Sequence, residues 1–275
     1  MWAAELQRAR KKILSATQAV NRKYEGQIKK GGDTVRVNIV GDITVANYTR
    51  NSDISLETLD TTAVALLIDQ EKAFGFYLDD VDRKQMVADI MPEAMSRAAY
   101  KLKDTKDQHL LTTLANGVGE TNVLDARTIG HDGGDADPFN LLVDMGVVLD
   151  NTDTPEEGRF IFLPPWFCGE ILKDPRRTSF GTTKNLAAYG SGYIGRTVGG
   201  LEMFKTRNLP TTNSVVTIVA GVRDAATFAD QITDYETKRH PFRFGDNHFG
   251  LDVYGADVHR PDSLAKCAVT QSSAF

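Results

Sequence analysis

Three aspartates, Asp79, Asp80 and Asp82, stand close enough in sequence to hold a divalent cation. A second candidate, Gly190-Ser191-Gly192-Tyr193-Ile194-Gly195, has the glycine spacing of a loop that cradles a dinucleotide pyrophosphate. Neither has the surroundings its chemistry needs. The aspartates fall where a strand pattern gives way to a helix pattern, a place where carboxylates cap backbone N–H groups and offset the helix dipole. The glycine run follows Asn185-Leu186-Ala187-Ala188, which is not strand-like, and leads into strand-like sequence. A dinucleotide loop instead joins a strand to a helix and has an acidic residue about 20 positions later. The histidines, His109, His131, His240, His248 and His259, include no close ligand pair. There is no Gly-x-Ser-x-Gly elbow, P-loop or paired-cysteine zinc spacing, and Cys168 beside Trp166 and Phe167 has the character of a small buried apolar residue. An enzyme built on the loop near Gly192 would lack its base, its acid and its ribose-binding carboxylate. The expectation is therefore no catalytic residue, no metal and no cofactor.

The composition is that of a folded protein: 275 residues, 41% hydrophobic and 25% charged, with net charge -5. At about 150 residues per domain this predicts one large domain or two smaller ones. Two cysteines are too few and too distant for a disulfide framework, which fits a reducing compartment. No run approaches the ~20 apolar residues of a membrane span, and no targeting segment or membrane partner is expected. The charge is unevenly spread. Residues 1–30 carry Arg8, Arg10, Lys11, Lys12, Arg22, Lys23, Lys29 and Lys30 against only Glu5 and Glu25. Within that segment Leu6, Ala9, Ile13, Ala16 and Val20 recur at helical spacing, a narrow apolar stripe that needs something to lie on, either its own domain or a partner. Recognition of nucleic acid by sequence is not expected, because the chain is acidic overall and no aromatics interleave the bases.

From Gly31 the period changes. Val35, Val37 and Ile39 alternate with polar residues, Gly41-Asp42 interrupts, and Ile43 and Val45 alternate before Tyr48, which predicts a two-stranded ribbon. Its single row of small aliphatics is too little to stabilise it in isolation. Ala63 to Leu78 reads as one long, more buried extended segment. Pro92 to Asn116 reads as a helix about 37 Å long, with Pro92 in the first turn. Gly130 to Pro138 is rich in breakers and marks a boundary. Beyond it the sequence predicts a helix over Phe139–Leu149, a strand over Arg159–Leu163, a helix from Pro164-Pro165 to Lys173, and strands over Leu201–Lys205 and Val215–Val219. Residues 222–275 read as mixed sheet returning to the long helix.

In this order the elements resemble the major capsid protein of tailed bacteriophages. Lys23-Tyr24-Glu25-Gly26 followed by Gly31-Gly32-Asp33-Thr34-Val35 resembles the family's junction of arm and extended loop, and Asp42-Ile43-Thr44-Val45 with Tyr48-Thr49 its returning strand. Lys72-Ala73-Phe74-Gly75-Phe76 with Asp79-Asp80-Val81-Asp82 resembles the approach to the long helix. Pro164-Pro165-Trp166 and Gly195-Arg196 resemble the apical subdomain, and Gly245-Asp246, Gly250-Leu251 and Tyr254-Gly255-Ala256 the final strands. Family members usually carry several residues before the Trp-Ala-x-x-Leu stretch, here Trp2 to Leu6.

The resemblance implies an α+β, Hong Kong 97-like capsid fold. It comprises an N-terminal arm (1–30), an extended β-hairpin loop (31–62), a peripheral domain with a long spine helix (63–137 and 222–275) and an axial α/β domain (138–221). It implies a non-enzymatic shell subunit that forms hexamers and pentamers in an icosahedral capsid. That shell would enclose double-stranded DNA without reading its sequence, would be assembled in the host cytoplasm, and would meet a portal and scaffold or decoration proteins. Contacts between subunits are expected at Leu6, Ile13 and Val20 on the arm and at Val35, Val37, Ile39, Ile43, Val45 and Tyr48 on the loop. An encapsulin-like nanocompartment enclosing a cargo enzyme is the alternative the same fold implies.

Overall fold

The computed structural model describes residues 15–22, 34–40, 45, 47, 50, 53, 58, 61–81, 90–130, 134–173, 193–196 and 200–272. Leu6, Ile13, Ile43 and Tyr48 lie outside them, as do Asp82, His131 and Gly190 to Gly192.

The alternating run after Gly31 forms strand β1 (Thr34–Val40), and its partner differs from the one its sequence suggests. β1 pairs antiparallel with β2 (Thr61–Leu67), from Thr34 opposite Leu67 to Val40 opposite Thr61. Ile43 to Tyr48 was the expected returning strand. The uninterrupted Thr61-Thr62-Ala63-Val64-Ala65-Leu66-Leu67 pairs with all seven residues of β1 in one ladder. The segment expected to be a single strand from Ala63 to Leu78 breaks at Ile68-Asp69. Its second part is β3 (Gln70–Asp79), which joins a different sheet.

Helix α1 (Ile90–Asn116) follows, with Pro92 in its first turn as its missing N–H requires. None of residues 91–103 is fully buried, whereas Leu110, Leu111, Leu114 and Ala115 are. After α1 come β4 (Val123–Ile129) and helix α2 (Pro138–Asn151), which starts where Asp137 accepts the Phe139 N–H at 2.8 Å and Pro138 occupies the first turn. Next are β5 (Arg159–Leu163), helix α3 (Pro165–Lys173), β6 (Tyr193–Arg196), β7 (Glu202–Lys205), β8 (Thr211–Thr212) and β9 (Val215–Val222). Two long strands, β10 (Ala226–Arg239) and β11 (Gly245–Val258), form a hairpin, and β12 (Leu264–Gln271) ends the described chain.

Among the described residues these strands form three sheets. β1 and β2 form the ribbon, β10-β11-β3 form a three-stranded sheet, and β4-β12-β9-β5-β7-β6, with β8 on β9, form a seven-stranded one. The large sheet crosses the boundaries drawn at 138 and 221. β12 lies between β9, antiparallel, and β4, parallel, so residues 123–129 and 264–271 are hydrogen-bonded into the same layer as residues 159–222. The physical reason is that β9 and β4 each need a ladder partner, and the apolar Leu264-Ala265-x-Cys267-x-Val269 supplies one buried on alternate positions.

One core joins these layers. It takes in Leu110, Leu111 and Leu114 of α1, Leu141, Leu142, Met145 and Leu149 of α2, Phe167 of α3, and Phe160 to Leu163, Ile218 to Ala220, Leu264 and Cys267 of the sheet. A smaller cluster of Leu66, Ile68, Ala229 and Val253 seats the base of the ribbon on the three-stranded sheet. There Gly255 is required, because a Cβ would lie 2.3 Å from the Leu67 carbonyl oxygen and 3.0 Å from the Ile68 Cα. Gly255→Ala therefore pushes two backbones apart, with an expected loss of about 1–3 kcal/mol read from the denaturant midpoint. Gly134→Ala, where a Cβ meets nothing within 4 Å, leaves that midpoint in place.

Candidate assembly interface

The leucine stripe of α1, continued towards its N-terminus, becomes polar without becoming exposed. Asp107 is 1% exposed, and Asp104 and Lys106 are each 6%. Buried charges require partners, and four other parts of the chain supply them. Asn208, between β7 and β8, donates one amide hydrogen to Asp104 Oδ1 at 2.9 Å and the other to Asp107 Oδ2 at 2.8 Å. Asp107 Oδ1 accepts the backbone N–H of Ala16 at 2.9 Å. Lys106 Nζ lies 2.6 Å from Asp230 Oδ2 of β10 and 2.6 Å from Asp252 Oδ2 of β11. The Arg22 guanidinium reaches the other oxygen of Asp230 at 3.3 Å. Burial pushes the Asp107 carboxyl above the usual carboxylate range, against the pull of the Ala16 N–H and the Asn208 amide. Burial pushes Asp252 up as well, against the pull of Lys106.

This junction anchors the end of the arm on its own chain. Ala16–Gln18 is a 3-10 turn, and Ala16, Ala19 and Val20 are buried in the main core. Asn21 then bridges to the edge of β10, its N–H donating to the Ala226 carbonyl and its own carbonyl accepting from Phe228. Val20, expected on a face that runs along another subunit, is thus at 7% exposure inside its own molecule. Its stripe ends in a tight turn because Asp107 and β10 capture the backbone of Ala16 and Asn21. Of the junction residues the sequence singled out only those of the arm, Ala16, Val20 and Arg22, and none of their partners Asp104, Lys106, Asp107, Asn208, Asp230 and Asp252. The available signal was the spacing of Asp104 and Asp107, which continue the positions of Leu110, Leu111 and Leu114.

The other expected contact residues sit elsewhere. Val35, Val37 and Ile39 occupy alternate positions of β1, opposite Leu66, Val64 and Thr62. Among the described residues of the loop Val45 is 94% exposed. The structure adds a second apolar surface at the far end of the three-stranded sheet, where Phe242 and Phe244 are 91% and 79% exposed and Tyr77, Val81 and Phe249 lie open beside them. Exposed aromatics gathered at one end of a sheet mark a contact surface. The tip is held firmly: Arg239 pairs with Asp80 and Asp246, and the Tyr77 hydroxyl lies 3.0 Å from the Phe244 carbonyl and 2.9 Å from Asp79 Oδ2. Asp79 also accepts the Val81 N–H at 2.8 Å, the capping role expected of it.

Chemistry of other kinds finds little support. Among the described residues no three His, Cys, Asp or Glu side chains converge as a metal site. A cleft of about 870 Å³ at the start of α2 is lined by Arg127, Asp135, Asp137, Phe139, Val143 and Asp144. In it Arg127 is 2.6 Å from Asp144 and Asp137 caps the helix. Both cysteines are buried thiols outside any disulfide, and burial pushes the Cys267 thiol up to about 11, which keeps it protonated and unreactive. No described helix is long and apolar enough to cross a membrane.

Against known proteins, residues 62–267 match the model of a family described as phage capsid protein. The chain superposes on a protein of Mycobacterium phage Che8 with TM-score 0.74 and 28% identity, over 97% of this chain and 95% of that one. It superposes on the capsid structure of the cyanophage P-SCSP1u with TM-score 0.74 and 16% identity, over 99% and 93%. An encapsulin, from the holo-SrpI complex of Synechococcus elongatus, matches less well, with TM-score 0.61 and 12% identity over 97% and 94%. No curated protein matches the chain in sequence.

Two outcomes are expected of the junction. Asp107→Ala removes the acceptor of the Ala16 N–H and one of the two acceptors of the Asn208 amide, a loss of about 1–3 kcal/mol for a buried group left without a partner, and limited proteolysis then cleaves the arm before Ser15–Arg22 faster than in the wild type. A raised carboxyl pKa in the folded state means that Asp107 contributes most when protonated. Its contribution is fully present below the ordinary carboxylate pKa and is lost as pH rises through the raised value. Stability of the wild type should therefore fall more steeply across that mildly acidic window than stability of Asp107→Asn, which keeps an acceptor but does not titrate. Parallel slopes in urea titrations at several pH values would refute this.

Proposed function

The chain belongs to the phage capsid protein family and has the Hong Kong 97-like fold, and from that premise we propose that it builds, as hexamers and pentamers, the icosahedral shell enclosing a tailed phage's double-stranded DNA. It is a major capsid protein and its place is the virion. The observation that carries the assembly reading is the ribbon. Among the described residues β1 pairs only with β2, and at the base of the ribbon Leu66, with Ile68 just beyond β2, packs on Ala229 and Val253. A two-stranded ribbon of this kind is marginal in water, and a neighbouring copy related by symmetry supplies the surface it lacks. The loop residues Val35, Val37, Ile39, Ile43, Val45 and Tyr48 are the contacts made on that neighbour, and Leu6 and Ile13 of the arm those made on another.

The role is structural, without a catalytic step. A chain of net charge -5 retains DNA by confinement more than by pairing with phosphate, so that any attraction is local to the basic arm. Assembly takes place in the host cytoplasm, one vertex being given to a portal, with scaffold or decoration proteins acting from outside the chain. The tip at Phe242 and Phe244 is a further contact between copies. Deletion of residues 33–51 should leave soluble monomers or small oligomers by negative-stain microscopy and sedimentation; shells of normal size from that variant would remove the ribbon from the mechanism. Native particles should hold nuclease-protected double-stranded DNA. A cargo protein in its place would make the particle a nanocompartment.

A further inference from the structure

The buried contact of Lys106 with Asp252 has more of the features of a reaction site than of an ordinary ion pair. Both side chains are out of water, at 7% and 1% exposure, and the nitrogen lies 2.6 Å from the carboxylate oxygen. A second carboxylate, Asp230, touches the same nitrogen at 2.6 Å and, at 24% exposure, retains a route to solvent. The other oxygen of Asp252, Oδ1, is buried and has no hydrogen-bond partner. The Tyr254 ring walls the site, its centroid 5.8 Å from Nζ. An amine and a carboxyl group fixed in contact, a proton carrier beside them and water excluded are the requirements for intramolecular condensation, for which holding the reactants together supplies effective molarities of about 10⁵–10⁸ M.

We propose that Lys106 and Asp252 close an isopeptide bond, with Asp230 carrying the protons. The ammonium of Lys106 gives one proton to Asp230, and the freed electron pair of Nζ attacks Cγ of Asp252. The Nζ–Cγ bond forms and a second proton leaves the nitrogen. The Cγ–Oδ2 bond breaks, and that oxygen departs with both protons as water, Asp230 returning to the carboxylate. An ammonium and a carboxylate become a neutral amide and one water, with no oxidant, nucleotide or other reagent consumed. Asp252, and not Asp230, is the acceptor because Asp230 is also held by Arg22 and opens to solvent, whereas the carboxyl of Asp252 is buried against Nζ. The product joins the middle of α1 to β11 covalently and replaces two buried charges with one amide, which relieves their desolvation.

The bond lies within one chain and does not depend on shell formation, so it is read on assembled and unassembled protein alike. Intact mass spectrometry of the full-length chain should give a value one water below the sequence mass, and tandem spectra of a tryptic digest should show the Lys106 and Asp252 peptides joined. Lys106→Arg and Asp230→Asn should both restore the full mass, the second without loss of the circular dichroism spectrum. A wild-type chain at its full sequence mass overturns the proposal. So does a lost water that maps to a succinimide at Asp132-Gly133, and so does a joined peptide that persists in Asp230→Asn. Should Lys106→Arg fail to fold, the wild-type digest decides alone.

Discussion

The fold depends on a set of charges that α1 carries into its own interior. A helix whose leucine stripe simply continued would pack on the seven-stranded sheet and specify little else. By replacing one turn of that stripe with Asp104, Lys106 and Asp107, the sequence makes burial conditional on partners from separate parts of the chain: Ala16 from the arm, Asn208 from the loop before β8, Asp230 and Asp252 from the long hairpin. An apolar stripe would tolerate several orientations of these elements. Buried donors and acceptors do not, because a shift that breaks one bond leaves its partner unsatisfied in a dry site. The arrangement fixes orientation more than it adds stability, since buried ion pairs scarcely repay their desolvation.

That rigidity is what a shell subunit requires of its body, and the appendages show the contrary property. None of residues 91–103 of α1 is fully buried, the ribbon has two strands among the described residues, and the tip of the long hairpin holds two phenylalanines in solvent. These are elements whose burial is unfinished within one copy. The arm belongs to both classes. From Ser15 to Asn21 it is locked into its own subunit by Asp107 and β10.

Much of this was legible in the sequence, for physical reasons that differ from element to element. Arg159–Leu163 is legible to the residue because Phe160-Ile161-Phe162-Leu163 is a short apolar run between Gly158 and Pro164, too short for a helix. α2 and α3 were placed to within a residue or two by proline and aspartate at their starts. Strand pairing was less accessible. Thr34–Val40 was recognised as a strand, but its partner was assigned to the nearest alternating stretch, and nothing local distinguishes Ile43–Tyr48 from Thr61–Leu67 until the length of the whole ladder is considered. Placing β12 with β9 and β4 was out of reach for the same reason, since hydrophobic alternation marks a strand without naming its neighbour. The junction on α1 was hidden because Asp104, Lys106 and Asp107 look like a solvated face unless Asn208, a hundred positions away, is known to point at them.

The placement of β12 bears on synthesis. The strand that separates β4 from β9 is built from residues 264–271, after every other strand of that sheet has been made. A nascent chain halted before Leu264 lacks the strand that joins β4 to β9, and the core positions of Leu264, Ala265, Cys267 and Val269 stay empty. Incomplete translation products therefore fail to fold and are open to proteolysis, instead of entering a growing lattice as defective tiles. The order of strands thus acts as an inspection step that precedes any encounter between copies.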